Sequence, residues 1–529
     1  MVTLFGDRHD SGKLGGNTMN FFVTNTVGKQ SSGIEHSEMK RLQLFREHQV
    51  PATIVTTNYY SRFHFNFKEN GLTDDTSLNM FDFFLGNLHV PQRSNTVKEW
   101  LANHSGSATD LGTDMVEGNI QVHGWRVIDG DQQFLLREDV QSGQISSIVY
   151  GTTANFIKHS EIYDDRGFKT LDNIMGADGR VTEQRFFSHT GEQIIIWRLD
   201  GKGATRSIFL KHQGEQRIFM NNDGLITYFL DVINQENGGD NLIISDRYEN
   251  TPALARMKTP ARRYVYIHNV HVSDPTDPLH DPKLNYNYAY VLQHPRQFTG
   301  MITPTYHQAN DIKQRFGKDL NVVVIPSGSI EPSSNRIAIN DRPRQHHILS
   351  VARISPEKRL DLLVRVAALV KKQIPDVILD IYGFVTDPCS GVILNNTVKE
   401  TDMAGSVHFY PYTDQIMPVY DESTVLALNS ANEGFGLALI EAESRGVPLV
   451  SFDINYGPNE IIENGKNGYL IKDGDIDDMA AKIITIFKDP FLNQKLSTGA
   501  YEATNKFSSA NVWQAWQNIA KIDTQTPIK

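Results

Sequence analysis

The stretch "MNFFVTNTV" near the start of the chain is a compact apolar and β-branched run, and it predicts a buried first strand. A turn of small residues follows. Apolar residues at Met39, Leu42 and Phe45 then recur at helical spacing, and Ala52 to Thr56 reads as a second strand, so the chain opens as a βαβ unit. The rhythm stops around Phe81 to Leu88. Between about Glu117 and Leu230 it gives way to short alternating runs such as "QVHGWRVI", "QQFLLRE", "QRFFSHT" and "QIIIWRL". Turn dipeptides Asp129-Gly130, Asp178-Gly179, Thr190-Gly191, Asp200-Gly201 and Asp223-Gly224 punctuate this region, which predicts an antiparallel β meander.

The α/β pattern resumes with "NLIISDR", "RRYVYIHNVH" and "NVVVIPSG", runs suited to parallel strands. Residues 19–88 and 231–325 are therefore expected to form one Rossmann-like domain, interrupted by an inserted β-rich domain over 89–230. Residues 326–345 are rich in Pro, Ser and Asn and read as a linker. From 346 to 505 strands such as "HHILSVAR", "VILDIYG", "TVLALNS" and "PLVSFD" alternate with helices such as "RLDLLVRVAALVKKQ" and "AAKIITIFKD", which predicts a second doubly wound sheet. Residues 506–529 are expected to form a C-terminal helix that packs back on the N-terminal domain. There is no short-period repeat of solenoid or propeller type.

Composition narrows the classes. A chain of 529 residues is too long for one core. Fifty-one basic against 62 acidic side chains give a net charge of -11, which argues against a broad nucleic-acid footprint. One cysteine, Cys389, cannot form an intrachain disulfide, so the cytoplasm is the default compartment, with at most peripheral membrane association. Residues 1–18 lack the apolar core of a signal peptide and read as a disordered leader.

The chemistry concentrates in "NSANEGFGLALIEAESRG". Here a strand ends near Asn429, Glu433 lies in the loop, and Gly434 and Gly436 let the backbone approach a ligand before a helix begins. The free N–H groups and positive dipole end of that helix suit a diphosphate, and Glu441, one turn in, suits vicinal hydroxyls. Upstream, "VARISPEKRLD" sets Arg353 and Lys358 after a strand, where two cations can neutralise a diphosphate leaving group. Taken singly, the first motif is equally a helix start with a solvated acid, and the second an exposed helix start.

"VARISPEKR", "VHFYPYTDQ", "NEGFGLALIEAESRGVPLVSFDINYGPNEII" and "ENGKNGYLI" together resemble the donor-binding half of a GT-B retaining glycosyltransferase of glycosyltransferase family 4. The resemblance implies an α/β fold of two Rossmann-like domains facing a cleft, and transfer of a hexose or N-acetylhexosamine from a UDP-sugar. It assigns Glu433 to the donor sugar, Glu441 to the ribose, Arg353 and Lys358 to the diphosphate, and the main chain around Tyr410 to Tyr412 to the base. Phe435 and Leu437 fall inside the donor loop, and Gly33 in "SSGIEH" matches the glycine turn against the phosphates. Of the two histidines in "YIHNVHVS", His268 matches the family's sugar-contacting histidine better than His271. The inserted domain resembles that of wall teichoic acid α-glycosyltransferases and of enzymes that glycosylate serine-rich or Ser-Asp repeat adhesins. This implies a repetitive acceptor, with the insert recognising it or mediating self-association. A poly(polyol-phosphate) is favoured over a serine-rich protein, and an inactive GT-B partner protein is the rival class. No cofactor or metal is expected: Asp129 to Asp131 and Asp473 to Asp475 lie in predicted turns, and His346 and His347 lack metal-ligand spacing.

Overall fold

The computed structural model describes residues 19–28, 33–117, 120–152 and 157–520, so the expected leader and the last nine residues lie outside the described residues. The chain divides into two compact units, residues 1–31 with 51–262, and residues 32–50 with 263–529. No described helix is long and apolar enough to cross a membrane.

In the first unit, Ser77–Asn79, Ala52–Thr56, Asn20–Thr24 and Leu242–Ser245 are adjacent parallel strands in that order. All their residues are buried, which explains why "NFFVT" and "LIIS" show no polar alternation. Ten strands, from Ser107–Glu117 to Glu215–Phe219, form a single antiparallel sheet in sequence order, the meander that the alternating runs predict. Four of the five turn dipeptides fall between these strands, but Asp223-Gly224 does not. It opens the helix Asn222–Glu236, because the Asn221 side chain accepts a hydrogen bond from the Gly224 N–H at 3.0 Å. An N-cap followed by apolar residues at Leu225, Ile226, Phe229, Leu230 and Ile233 outweighs a local turn signal. The sheet thus ends at Phe219, and the helix runs across the boundary expected at 230.

A buried ionic network ties the segment after the first strands to the sheet. Arg166 donates through Nε to Asp164 Oδ1 at 2.7 Å and through Nη2 to Asp82 Oδ2 at 3.3 Å, while His64 Nε2 lies 2.6 Å from Asp82 Oδ2. His64, Asp82 and Asp164 bring their ligand atoms within 4.8 Å of one another. The Arg166 guanidinium already supplies positive charge between the two carboxylates, so this cluster reads as an ion-pair joint.

In the second unit, the strand Arg262–Tyr266, which starts at the unit boundary, runs parallel to Gly300–Thr303, and that strand to Val322–Val324. A further six parallel strands are ordered Val407–Tyr410, Ile378–Tyr382, His347–Val351, Val425–Leu428, Leu449–Asp453 and Gly468–Lys472. Counted along the chain this is 3-2-1-4-5-6, the doubly wound order, with its switch point between His347–Val351 and Val425–Leu428. Helix Leu360–Lys371 buries Leu360, Leu363, Val364, Ala367 and Val370 on this sheet, at about 1.5–3 kcal/mol for each large aliphatic side chain. The helix Pro388–Glu400 and the strand Gly468–Lys472 are absent from the sequence reading; Asp387 caps the former through the Ser390 N–H.

The expected linker is pinned. Arg342 is buried and donates to the carbonyl oxygens of Tyr420 at 2.9 Å and Ser423 at 2.5 Å, and also to that of Arg445. The terminal helix Ser509–Gln517 packs Trp513 and Trp516 edge-on against Phe45 of the helix Gly33–Glu47, at ring distances of 5.1 and 5.6 Å.

One buried acid gives the fold a pH signature. Glu443, on the helix Leu437–Ser444, accepts from Asn467 Nδ2 at 2.6 Å, and burial pushes its carboxyl up to about 8. The folded state therefore holds a proton that the unfolded chain releases near its ordinary value of 4.5, so stability falls as pH rises from about 4.5 towards 8. Glu443→Gln should raise the melting temperature at pH 8 by at least ~2 °C, with the gain vanishing near pH 4.5, as followed by thermal unfolding across that range.

Candidate functional site

The switch point of the six-stranded sheet is where a ligand crevice forms beyond the carboxyl ends of the strands. Two loops meet there: that after His347–Val351 carries Lys358, and that after Val425–Leu428 carries Glu433. Lys358 Nζ lies 2.5 Å from Glu433 Oε1, and Ser430 Oγ donates to the same oxygen at 2.7 Å. Both charged side chains are only about one-seventh exposed, at 15% and 14%, so the pair is less screened by solvent and salt than a surface salt bridge. Lys358 has three N–H donors, and one bond to Glu433 leaves two for an anion.

The backbone of the Glu433 loop is fixed from several sides. Glu433 N–H donates to the Asn455 carbonyl at 3.1 Å, and the Glu433 carbonyl accepts from the N–H groups of Tyr456 at 2.5 Å and Gly457 at 3.2 Å. Arg359 donates to the carbonyl oxygens of Asn429 at 3.0 Å and Ser430 at 2.6 Å, and pairs with Asp473 at 2.6 Å. Asp473 is thus taken by Arg359, and Asp475 caps the helix Ile476–Lys488. A Cβ on Gly434 would collide with the His268 carbonyl, so only glycine permits this approach. Gly436 adopts φ 92°, ψ 67° and starts the helix Leu437–Ser444 with no capping side chain, which leaves the leading N–H groups directed outward from the helix end.

Glu441, one turn into that helix, has different partners. Lys40 Nζ lies 3.1 Å from Oε1, and the Tyr420 hydroxyl donates to Oε2 at 3.3 Å. Tyr412 pairs with His36 Nε2 at 3.0 Å. Burial pushes the His36 imidazole below its ordinary value, against the opposing pull of Glu441.

The remaining predicted residues separate. Arg353 is 43% exposed and pairs with Glu357 at 3.1 Å rather than with Glu433, the partner of Lys358. The His268 ring stacks on Tyr266 at 4.1 Å, and its carbonyl abuts Gly434. His271 is fully buried beside Tyr456, and burial together with Arg315 pushes it down to about 4. The Phe435 side chain is core, edge-on to Phe507 at 5.4 Å, which leaves only its main chain for a ligand. Leu437 packs on the same core. Tyr410 stacks on Tyr382 at 4.5 Å, and its carbonyl accepts from the Gly383 N–H at 3.0 Å. Gly33 begins the helix Gly33–Glu47, while the turn at 29–32 lies outside the described residues. His346 and His347 are matched by Asp376 and Asp380, each at 2.9 Å. The sequence reading misses Lys40, Tyr420 and Arg359. For Lys40 no local signal exists, since it meets Glu441 across 401 positions. Arg359 sits beside the motif lysine and was available as a third cation.

The chain is 25% identical over 522 residues to the poly(ribitol-phosphate) alpha-N-acetylglucosaminyltransferase of Staphylococcus aureus (strain COL), covering 94% of this chain and 99% of that protein. It is 24% identical over 513 residues to the UDP-N-acetylglucosamine–peptide N-acetylglucosaminyltransferase GtfA subunit of Streptococcus gordonii, covering 94% and 97%. Among solved structures, a GtfA/B complex aligns with a TM-score of 0.78 at 21% identity, covering 95% of this chain and 98% of that one. TarM of S. aureus, in complex with fondaparinux, alpha-GlcNAc-glycerol and UDP, aligns at 0.73 and 21%, covering 95% and 99%. These likenesses show the GT-B fold. Residues 333–503, which hold Lys358, Glu433 and Glu441, match the family described as Glycosyl transferases group 1, and that segment is a glycosyl transferase group 1 domain.

Proposed function

We propose that this chain is a retaining glycosyltransferase that moves N-acetylglucosamine or glucose from a UDP-sugar to hydroxyls of a repetitive cell-surface polymer. The favoured acceptor is a poly(polyol-phosphate) wall teichoic acid. The observation that carries the reading is the switch-point pair, Lys358 against Glu433 at 2.5 Å, with Glu441 one turn into the adjoining helix. Relatives that align with 94% of this chain are named for N-acetylglucosamine transfer, which favours UDP-N-acetylglucosamine as donor. One of these is named for a poly(ribitol-phosphate) and the other for a peptide, so a serine-rich protein is the second acceptor reading.

In this reading the diphosphate lies at the start of the helix Leu437–Ser444, where outward N–H groups and the two remaining Lys358 donors meet it. Half-exposed Arg353 would add a second cation by turning from Glu357. As the bond from the anomeric carbon to the diphosphate oxygen breaks, negative charge grows on that oxygen and Lys358 stabilises it. The acceptor oxygen bonds to the same carbon on the same face, its proton passes to the departing phosphate oxygen, and UDP leaves. Glu433 faces the oxocarbenium-like carbon of the transferred sugar. Glu441 holds the ribose, so the two carboxylates do not flank one bond as they do in retaining hydrolases, about 5 Å apart.

Three outcomes test this. Lys358→Ala should lower turnover by on the order of a hundredfold, measured as UDP release in steady state. Glu433→Ala should bind UDP nearly as well as the parent by calorimetry and mainly lose turnover, whereas Glu441→Ala should mainly lose UDP affinity. If both glutamate variants bind UDP and turn over normally, the donor-site reading fails. Presented with UDP-N-acetylglucosamine, poly(ribitol phosphate), poly(glycerol phosphate) and a serine-repeat polypeptide in competition, the protein should label a polyol-phosphate polymer with an α-linked sugar. Preferential labelling of the polypeptide would transfer the proposal to the second acceptor class.

A further inference from the structure

The helix Gly33–Glu47 turns one face towards the group 1 domain. His36 and Lys40, at i and i+4 on that face, meet Tyr412 and Glu441 respectively. The Lys40 stem passes close to Gly328, where a Cβ would fall 3.0 Å from Lys40 Cδ and 2.9 Å from Leu437 Cδ2. At the other carboxylate oxygen, Tyr420 is fully buried, and burial pushes its phenol far above the ordinary value, so it remains a donor to Oε2.

The consequence is geometric. A carboxylate has about four acceptor positions, two on each oxygen. Lys40 takes one on Oε1 and Tyr420 one on Oε2, so neither oxygen is saturated and the plane of the group is fixed. One remaining position on each oxygen matches a pair of adjacent hydroxyls, the arrangement of a ribose 2′,3′-diol. Lys40 and Glu441 are 24% and 18% exposed, sheltered enough for the pair to hold direction and open enough for a ligand to reach it.

Resting on the reading of Glu441 as the ribose carboxylate, we infer that Lys40 and Tyr420 are positioning residues for the nucleotide: they orient the Glu441 carboxylate, one through each oxygen, for recognition of a vicinal diol. Lys40 thereby brings the helix Gly33–Glu47 into the reading of the donor.

Calorimetry with UDP and with 2′,3′-dideoxy-UDP, on the parent and on Lys40→Met, Lys40→Arg, Tyr420→Phe and Glu441→Ala, separates the alternatives. Lys40→Met should weaken UDP by roughly tenfold and leave dideoxy-UDP binding unchanged, because the lost orientation matters only to the hydroxyls. Lys40→Arg should recover most of the loss, and in steady state the donor KM should rise more than kcat falls. Tyr420→Phe should show the same ligand dependence. An equal loss for both nucleotides in Lys40→Met would make the lysine a phosphate ligand or a structural residue, and would overturn the inference. So would parent-like UDP binding in Lys40→Met while Glu441→Ala is weakened. Parent-like UDP binding in Glu441→Ala would instead overturn the underlying assignment of the ribose.

Discussion

The close approach of the Gly434 backbone to the His268 carbonyl is the constraint on which the site depends. It brings the loop after Val425–Leu428 against the segment after Arg262–Tyr266 with no side chain between them. Glu433 is also held by main-chain bonds to Asn455, Tyr456 and Gly457, and its side chain meets Lys358 and Ser430. Arg359 braces the same loop from behind through Asn429 and Ser430. A loop held this way presents a carboxylate without ordering it anew for each ligand, which is the structural form of preorganisation.

Charge is distributed accordingly. The chain as a whole is acidic, at -11, yet each of the two glutamates at the site is matched by a lysine. The two lysines come from different places: Lys358 follows a strand of the same sheet, whereas Lys40 comes from the helix Gly33–Glu47. One pair therefore belongs to a single folded sheet and the other reports on the packing of an added helix. Glu443, two residues beyond Glu441, shows what an unmatched acid does in the same helix: buried with an amide as its partner, it holds its proton to about 8.

Much of this was legible before folding. The Ala52–Thr56 strand follows from a continuous run buried on both faces, the meander strands from alternation, and most strands and helices of 346–505 from apolar runs and helical periodicity. The places of Lys358 and Glu433 in the loops at the switch point, and of Glu441 on the adjoining helix, were legible because these residues sit at fixed offsets from strand ends. Asp223-Gly224 misled because a capping Asn221 competes for the same backbone, and Phe435, a residue of the motif, turns its side chain into the core.

The sequence by itself determined the elements and the motif offsets, since backbone propensity and burial periodicity act over a few residues and leave their mark there. It also placed Glu433, Gly434 and Gly436 at a strand-to-helix turn. Only the tertiary structure decided which charges meet. Lys40 reaches Glu441 from 401 positions away, Tyr420 reaches its other oxygen, Arg353 turns to Glu357, and the supposed linker is anchored by Arg342 on three carbonyls. Pairings of that kind depend on the approach of separately formed elements to within about 3 Å, and no local pattern in the chain encodes that distance.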